Sequence, residues 1–176
     1  MSIQGFQAKQ RDNTSEYVDH VLPEDSYQCS IEKVELREGT KYMSTETEMQ
    51  LLFYLKPLGV DETFKDKLLF FQTTTSFFNG KSTKAKNNVK SSKLYNIIRT
   101  VYRFYKPDVK VDEMKSEEIT DDVINYLEGK QLMAIVKLSE TGKNKVTDIM
   151  SIKSEIKTGE KKEKTPDEEI EELTKE

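Results

Sequence analysis

One segment constrains the fold more than any other. In "VLPEDSYQCSIEKVELREG", residues 21–39, Tyr27, Cys29 and Ile31 alternate on one phase and Val34 and Leu36 on the other. Side chains of a strand alternate with a period of two, so a regular strand cannot bury both sets. A bulge at Glu32 and Lys33 inserts one residue and returns Val34 and Leu36 to the inward face. The spacing therefore predicts a long first strand that bends and switches phase, as a small closed β barrel requires.

Further strands follow. "EMQLLFYLKP" (48–57) places Met49, Leu51, Phe53 and Leu55 on a core face. Glu48, Gln50, Leu52, Tyr54 and Lys56 occupy the opposite face, which is amphipathic and carries an aromatic. "KLLFFQTTTSFF" (67–78) reads as a third strand, rich in aromatic and β-branched residues. "SSKLYNIIRTVYRFYKP" (91–107) reads as a helix, capped by Ser91 or Ser92 and stopped at Pro107. Its apolar stripe is Leu94, Ile97, Ile98, Val101 and Tyr105. "TDDVINYLEGK" predicts a short helix closed by Gly129. "KQLMAIVKLSETGKNKVTDIMSIKSEI" predicts a strand, a hairpin loop and a strand.

Five strands, a helix between the third and fourth, and a bent first strand make the order of a mainly β, five-stranded OB-type barrel. The expected organisation is an N-terminal arm over 1–20, an OB-type domain over 21–157 and a disordered acidic tail over 158–176. The tail is the low-complexity "EKKEKTPDEEIEELTKE", with 4 Lys against 8 acids over residues 160–176.

Charge is divided by segment. Residues 1–78 carry 8 Lys/Arg against 13 Asp/Glu, residues 79–110 carry 9 against 1, and residues 111–176 carry 11 against 18. A chain with a net charge of −4 thus concentrates a surplus of +8 in 32 residues. Within it, "FFNGKSTKAKNNVKSSK" holds five lysines and no acid. Charge runs are usually solvated faces. This one is bracketed by Phe70, Phe71, Phe77 and Phe78, and it contains Tyr95, Tyr102 and Tyr105. Cations for phosphates beside flat rings for unstacked bases are what a single-stranded nucleic acid needs.

The candidate binding residues are Tyr54 first, then Phe77 and Phe78, as stacking rings. Lys81, Lys84, Lys86, Lys90 and Lys93 would follow the phosphate backbone, with Arg99 and Arg103 as outer contacts. Lys41 and Tyr42, in the first connection, would close the groove, and Arg37 is a further candidate.

Other chemistries find little support. One cysteine and one histidine exclude a disulfide framework and a Cys/His zinc cluster. Cys29 reads as a small buried residue, and His20 as a loop residue. "NGKST" (79–83) resembles the end of a phosphate-binding loop, but Thr75 stands where that loop needs a glycine. Asp108 with Glu128-Gly129-Lys130 imitates a metal-dependent nuclease signature, yet its members fall at helix ends and a turn. No catalytic activity, cofactor or metal is expected. No apolar run reaches the ~18 residues of a membrane span, and the first 20 residues lack a signal-peptide core, so a soluble, cytoplasmic protein is expected.

Three stretches, "VLPEDSYQCSIEKVEL", "SSKLYNIIRTVYRFY" and "LEGKQLMAIVKLSETGKNKVTDIMSI", together resemble the layout of phage-encoded OB-fold single-stranded DNA-binding proteins. The resemblance covers about residues 21–156, and Asp25 stands where that pattern has glycine. It implies sequence-independent binding of single-stranded DNA in phage or plasmid replication or recombination, in the host cytoplasm. It also implies an acidic tail that meets replication or recombination proteins. The rival readings are a small-barrel interaction module for an acidic protein partner and, behind it, the nuclease.

Overall fold

A computed structural model describes residues 20–80 and 91–157. The N-terminal arm, the acidic tail, Lys81, Lys84, Lys86 and Lys90 lie outside the described residues.

The architecture is mainly β. Strands β1 (Asp25–Thr40), β2 (Thr47–Pro57) and β3 (Leu69–Thr74) precede helices α1 (Lys93–Tyr105) and α2 (Asp121–Leu127). Strands β4 (Gln131–Leu138) and β5 (Asn144–Met150) follow. All pairings are antiparallel, and the five strands form one sheet in the order β3-β2-β1-β4-β5. The edge strands β3 and β5 approach one another, with no hydrogen-bonded ladder joining them among the described residues.

The irregularity expected in the first strand is present. The register of β1 against β2 shifts between Ile31 and Lys33. Before the shift, Asp25 to Ser30 pair with β4; after it, β1 pairs only with β2. The turn between α2 and β4 is docked on this bulge. Gly129 donates its N–H to the Ile31 carbonyl at 2.7 Å, and Ile31 donates to the Lys130 carbonyl at 2.8 Å. The Val34 N–H, which faces away from the ladder with β2, is taken by the Glu128 carboxylate at 2.9 Å. A φ of +78° at Gly129, a conformation that glycine adopts without a side-chain penalty, lets the turn make these bonds.

Cys29, Ile31, Phe53, Leu55, Leu69 and Phe71 form the sheet's contribution to the core, with Leu132, Ala134 and Val136 from β4. Helix α1 closes one end of this core against β3, β4 and β5. Its buried face is wider than the predicted stripe, because Tyr95 and Tyr102 join Leu94, Ile97, Ile98 and Val101 while Tyr105 is only half-buried. Ser92 caps the helix, accepting the Tyr95 N–H at 3.2 Å.

One strand boundary and two burials differ from the sequence expectation. β3 stops at Thr74, opposite Gln50. Four residues on, Phe78 exchanges bonds with Ser92 instead: its N–H donates to the Ser92 hydroxyl, and its carbonyl accepts the Ser92 N–H, both at 3.1 Å. Leu36 and Met49, expected in the core, are 58% and 45% exposed. Met49 sits where the β1–β2 hairpin runs past β3, while Leu36, paired to Leu51 inside the three-stranded part, has the phase of a core residue without its burial. Among the described residues no helix is long and apolar enough to cross a membrane.

Candidate nucleic-acid interface

The face of β1, β2 and β3 opposite the core is set by register. Lys33, Tyr54 and Phe70 stand side by side across the three strands; Glu35, Leu52 and Gln72 form the next row, and Arg37, Gln50 and Thr74 the third. The bulge puts Lys33, Glu35 and Arg37 on this face, since the inserted residue reverses the phase of everything after Ile31.

Tyr54 is half-buried and held from two sides. Its hydroxyl donates to Glu35 Oε2 at 2.8 Å, and its ring meets Phe70 edge-on with centroids 5.3 Å apart and planes at 74°. Such edge-to-face pairs are favourable because a positive ring edge meets a negative ring face. Lys33 Nζ lies 5.6 Å from the Tyr54 centroid and 3.3 Å from Glu35 Oε2. The Tyr54 hydroxyl, then Lys33, hold the Glu35 carboxyl below its ordinary range, and the Glu35 hydrogen bond pushes the Tyr54 hydroxyl up. One carboxylate thus orients the tyrosine while Lys33 and Arg37 offset its charge.

The polar rows are interlocked. Arg37 Nη2 donates to Gln72 Oε1 at 2.8 Å, and Gln72 donates to Gln50 Oε1. Gln50 crosses β1 to reach the Thr40 carbonyl at 3.3 Å. That crossing needs Gly39, because a Cβ there would meet the Gln50 amide. The result is a braced surface whose most exposed aromatic is Phe70, at 55%.

Phe70 is the residue that sequence reasoning missed as a site. In "KLLFFQTTT" the run of apolar residues hides the alternation. Only the burial of Leu69 and Phe71 fixes the phase and leaves Phe70 outside. Lys33 and Lys56 were likewise passed over.

The other proposed rings and cations are distributed as follows. Phe77 is half-buried against the Tyr95 ring at 5.6 Å, at the border of the core. Phe78 is exposed. Of the aromatics bracketing the basic run, Phe71, Tyr95 and Tyr102 belong to the core. Lys93 lies 5.8 Å from the Phe71 ring centroid. Gly80 and Ser91, which flank the ten residues 81–90, are joined by a 3.1 Å hydrogen bond from the Gly80 N–H to the Ser91 hydroxyl. With the Phe78–Ser92 bonds, this pins both ends of the lysine-rich segment at one place, just past the end of β3.

At the β1–β2 turn, Lys41 pairs with Glu46 at 3.7 Å, and the neighbouring Tyr42 and Met43 are 88% and 89% exposed. Arg99 and Arg103 sit on the exposed side of α1. Arg99 is 3.7 Å from Asp112, which also accepts the Tyr95 hydroxyl. These arginines line two grooves, of about 350 and 450 Å³, bordered by the segment after α1 and by β5. No residue of the Tyr54 face lines either groove, so Arg99 and Arg103 form a separate surface. The three residues of the nuclease-like signature are placed apart in role: Asp108 is exposed, Glu128 holds the bulge, and Lys130 covers tyrosine rings. Among the described residues no group of three or more His, Cys, Asp or Glu is placed to hold a metal.

No family model matches the chain, and no curated protein matches it either.

Proposed function

We propose that this chain is an OB-type barrel that binds single-stranded DNA largely without sequence preference, in the replication or recombination of phage or plasmid DNA. The observation that carries the reading is the Tyr54–Phe70 pair. Two aromatic rings stand on the solvent side of a braced sheet, with Lys33, Arg37 and Lys56 around them. The strand bearing Phe70 precedes the lysine-rich segment 81–90, whose flanking residues Gly80 and Ser91 are joined. Bases stack on flat rings irrespective of identity, and lysines neutralise phosphates, so the surface suits a strand without selecting its sequence.

The strand order, the bulged first strand shared by two halves of the sheet, and the helix closing one end of the core support the barrel assignment. The Lys41–Tyr42 turn borders the same sheet face and would flank a bound strand. Arg99 and Arg103, on a different surface, are outer contacts at most for a long strand that wraps. Titrating a labelled oligo-dT against this protein, with duplex DNA and an acidic protein as competitors, tests the reading. Displacement by single strands alone supports it, and displacement by the acidic protein in preference to DNA favours an interaction module.

A further inference from the structure

Outside the sheet face, one cluster has more positive charge than its packing explains. Tyr126, near the end of α2, is approached by two ammonium groups. Lys106 Nζ lies 3.9 Å from its ring centroid and Lys130 Nζ 4.5 Å from it. The same lysines lie 5.3 Å from the Tyr102 centroid and 5.6 Å from the Tyr105 centroid, respectively. One lysine is enough to cover a tyrosine ring. Two on one ring repel each other, and the sum of the two ring distances caps how far apart they stand.

Among the described residues neither lysine forms an ion pair. Two carboxylates around the cluster are bonded to other groups, and Asp108, two residues from Lys106, is exposed. Glu128 accepts the Val34 N–H at 2.9 Å, and Glu155 accepts the Tyr105 hydroxyl at 2.5 Å. Lys106 is also the C-cap residue of α1, its backbone N–H donating to the Tyr102 carbonyl at 2.8 Å, and a cation is favourable at that end of a helix.

The position of the cluster gives it a ligand. The Lys130 carbonyl accepts the Ile31 N–H, and Glu128 bonds Val34. Between these two anchors lies Lys33, which opens the row Lys33, Tyr54, Phe70. The cluster is therefore attached to β1 at the point where the candidate interface begins.

We propose that Lys106, Tyr126 and Lys130 form a second subsite that takes a phosphodiester group of the bound single strand, extending its path from the sheet face across the bulge. This rests on the reading that the protein binds single-stranded DNA. An anion that meets both ammoniums relieves their repulsion, and the Tyr126 ring, 3.9 and 4.5 Å from them, positions the pair.

Amine-acetylation footprinting of the unmodified protein, with and without a long oligo-dT, tests the subsite without any substitution. Lys106 and Lys130 are expected to be protected several-fold by the oligonucleotide, and equal labelling in its presence overturns the subsite. A second measurement uses Lys106→Gln/Lys130→Gln beside Lys106→Arg/Lys130→Arg. The glutamine pair is expected to flatten the log–log salt dependence of binding by about 0.7, the value for one phosphate contacted, and the arginine pair to retain it. An unchanged slope in a folded glutamine variant also overturns the subsite. If the unmodified protein binds no oligo-dT at all, the underlying function fails; if it binds with both lysines unprotected, only the subsite does.

Discussion

Phe70 presents its ring edge-on to Tyr54 at a centroid distance of 5.3 Å, and Glu35 holds the tyrosine hydroxyl from the other side at 2.8 Å. This arrangement separates two roles of Tyr54 that truncation alone would confuse. Stacking on a base contributes ~1–3 kcal/mol, whereas truncating a buried aromatic costs ~3–5 kcal/mol of stability. Tyr54 is half-buried and not part of the core. Tyr54→Ala is expected to weaken oligo-dT binding about tenfold or more with a small change in melting temperature. Tyr54→Phe keeps the ring and should retain most of the affinity. Phe70→Ala should resemble Tyr54→Ala. A collapse of stability with affinity intact would place Tyr54 in the core and move the binding face elsewhere.

The lysines of segment 81–90 make a different contribution. The residues that flank them are joined through Ser91 and Ser92. Converting Lys81, Lys84, Lys86 and Lys90 together to Glu is expected to abolish oligonucleotide binding while circular dichroism and melting temperature stay near those of the parent. Binding that survives this change would remove the electrostatic part of the account.

Much of the framework was legible in the sequence, because a phase switch, a helix cap and a Gly-closed turn are local signals. The bulge between Ile31 and Lys33 lies where the switch put it, and Ser92 caps the helix. What was not legible depends on what lies above a residue rather than on its phase. Leu36 and Met49 have the phase of core residues but stay exposed, Met49 on a hairpin end that outruns β3. Tyr95 and Tyr102 looked like part of a basic binding run, yet α1 turns them inward. Phe70 was hidden in an apolar run whose alternation only the neighbouring strand resolves. The pairing of Lys106 and Lys130 on Tyr126 joins α1 to the α2–β4 turn, and no local pattern announces it.

Glu128 offers a test of the bulge itself. Its carboxylate bonds the Val34 N–H, a backbone donor outside the ladder with β2. Glu128→Ala is expected to lower stability by about 1 kcal/mol, the usual net worth of such a bond, seen as a lower urea midpoint. Glu128→Gln, which keeps an acceptor, should recover most of it. If the two variants are equally stable, the carboxylate does not hold the bulge.

Alkaline pH should destabilise the protein, most through three groups. Burial pushes the Cys29 thiol up to about 12 from 9.0. Burial, then the hydrogen bond to Asp112, raises Tyr95 from 10.0 to about 12, and burial, then Glu155, raises Tyr105 likewise. Each is an acid whose folded pKa exceeds its unfolded one, so the folded state keeps protons that the unfolded chain releases. Their stabilisation is complete below about pH 9 and is lost as pH rises towards 12. The urea midpoint is expected to hold from pH 7 to 8.5 and to fall steadily above. Cys29→Ala should remove the portion of the decline that begins near pH 9. A midpoint that is flat to pH 11 would contradict the burial of these groups.

The most direct measurement is the fluorescence anisotropy of labelled oligo-dT titrated with the full chain across a salt series, beside a duplex of equal length. The account predicts saturable binding of the single strand, tighter than that of the duplex. It also predicts a log–log salt slope of about −0.7 for each phosphate contacted. Failure to bind the single strand, equal binding of the duplex, or an affinity that ignores salt would contradict it.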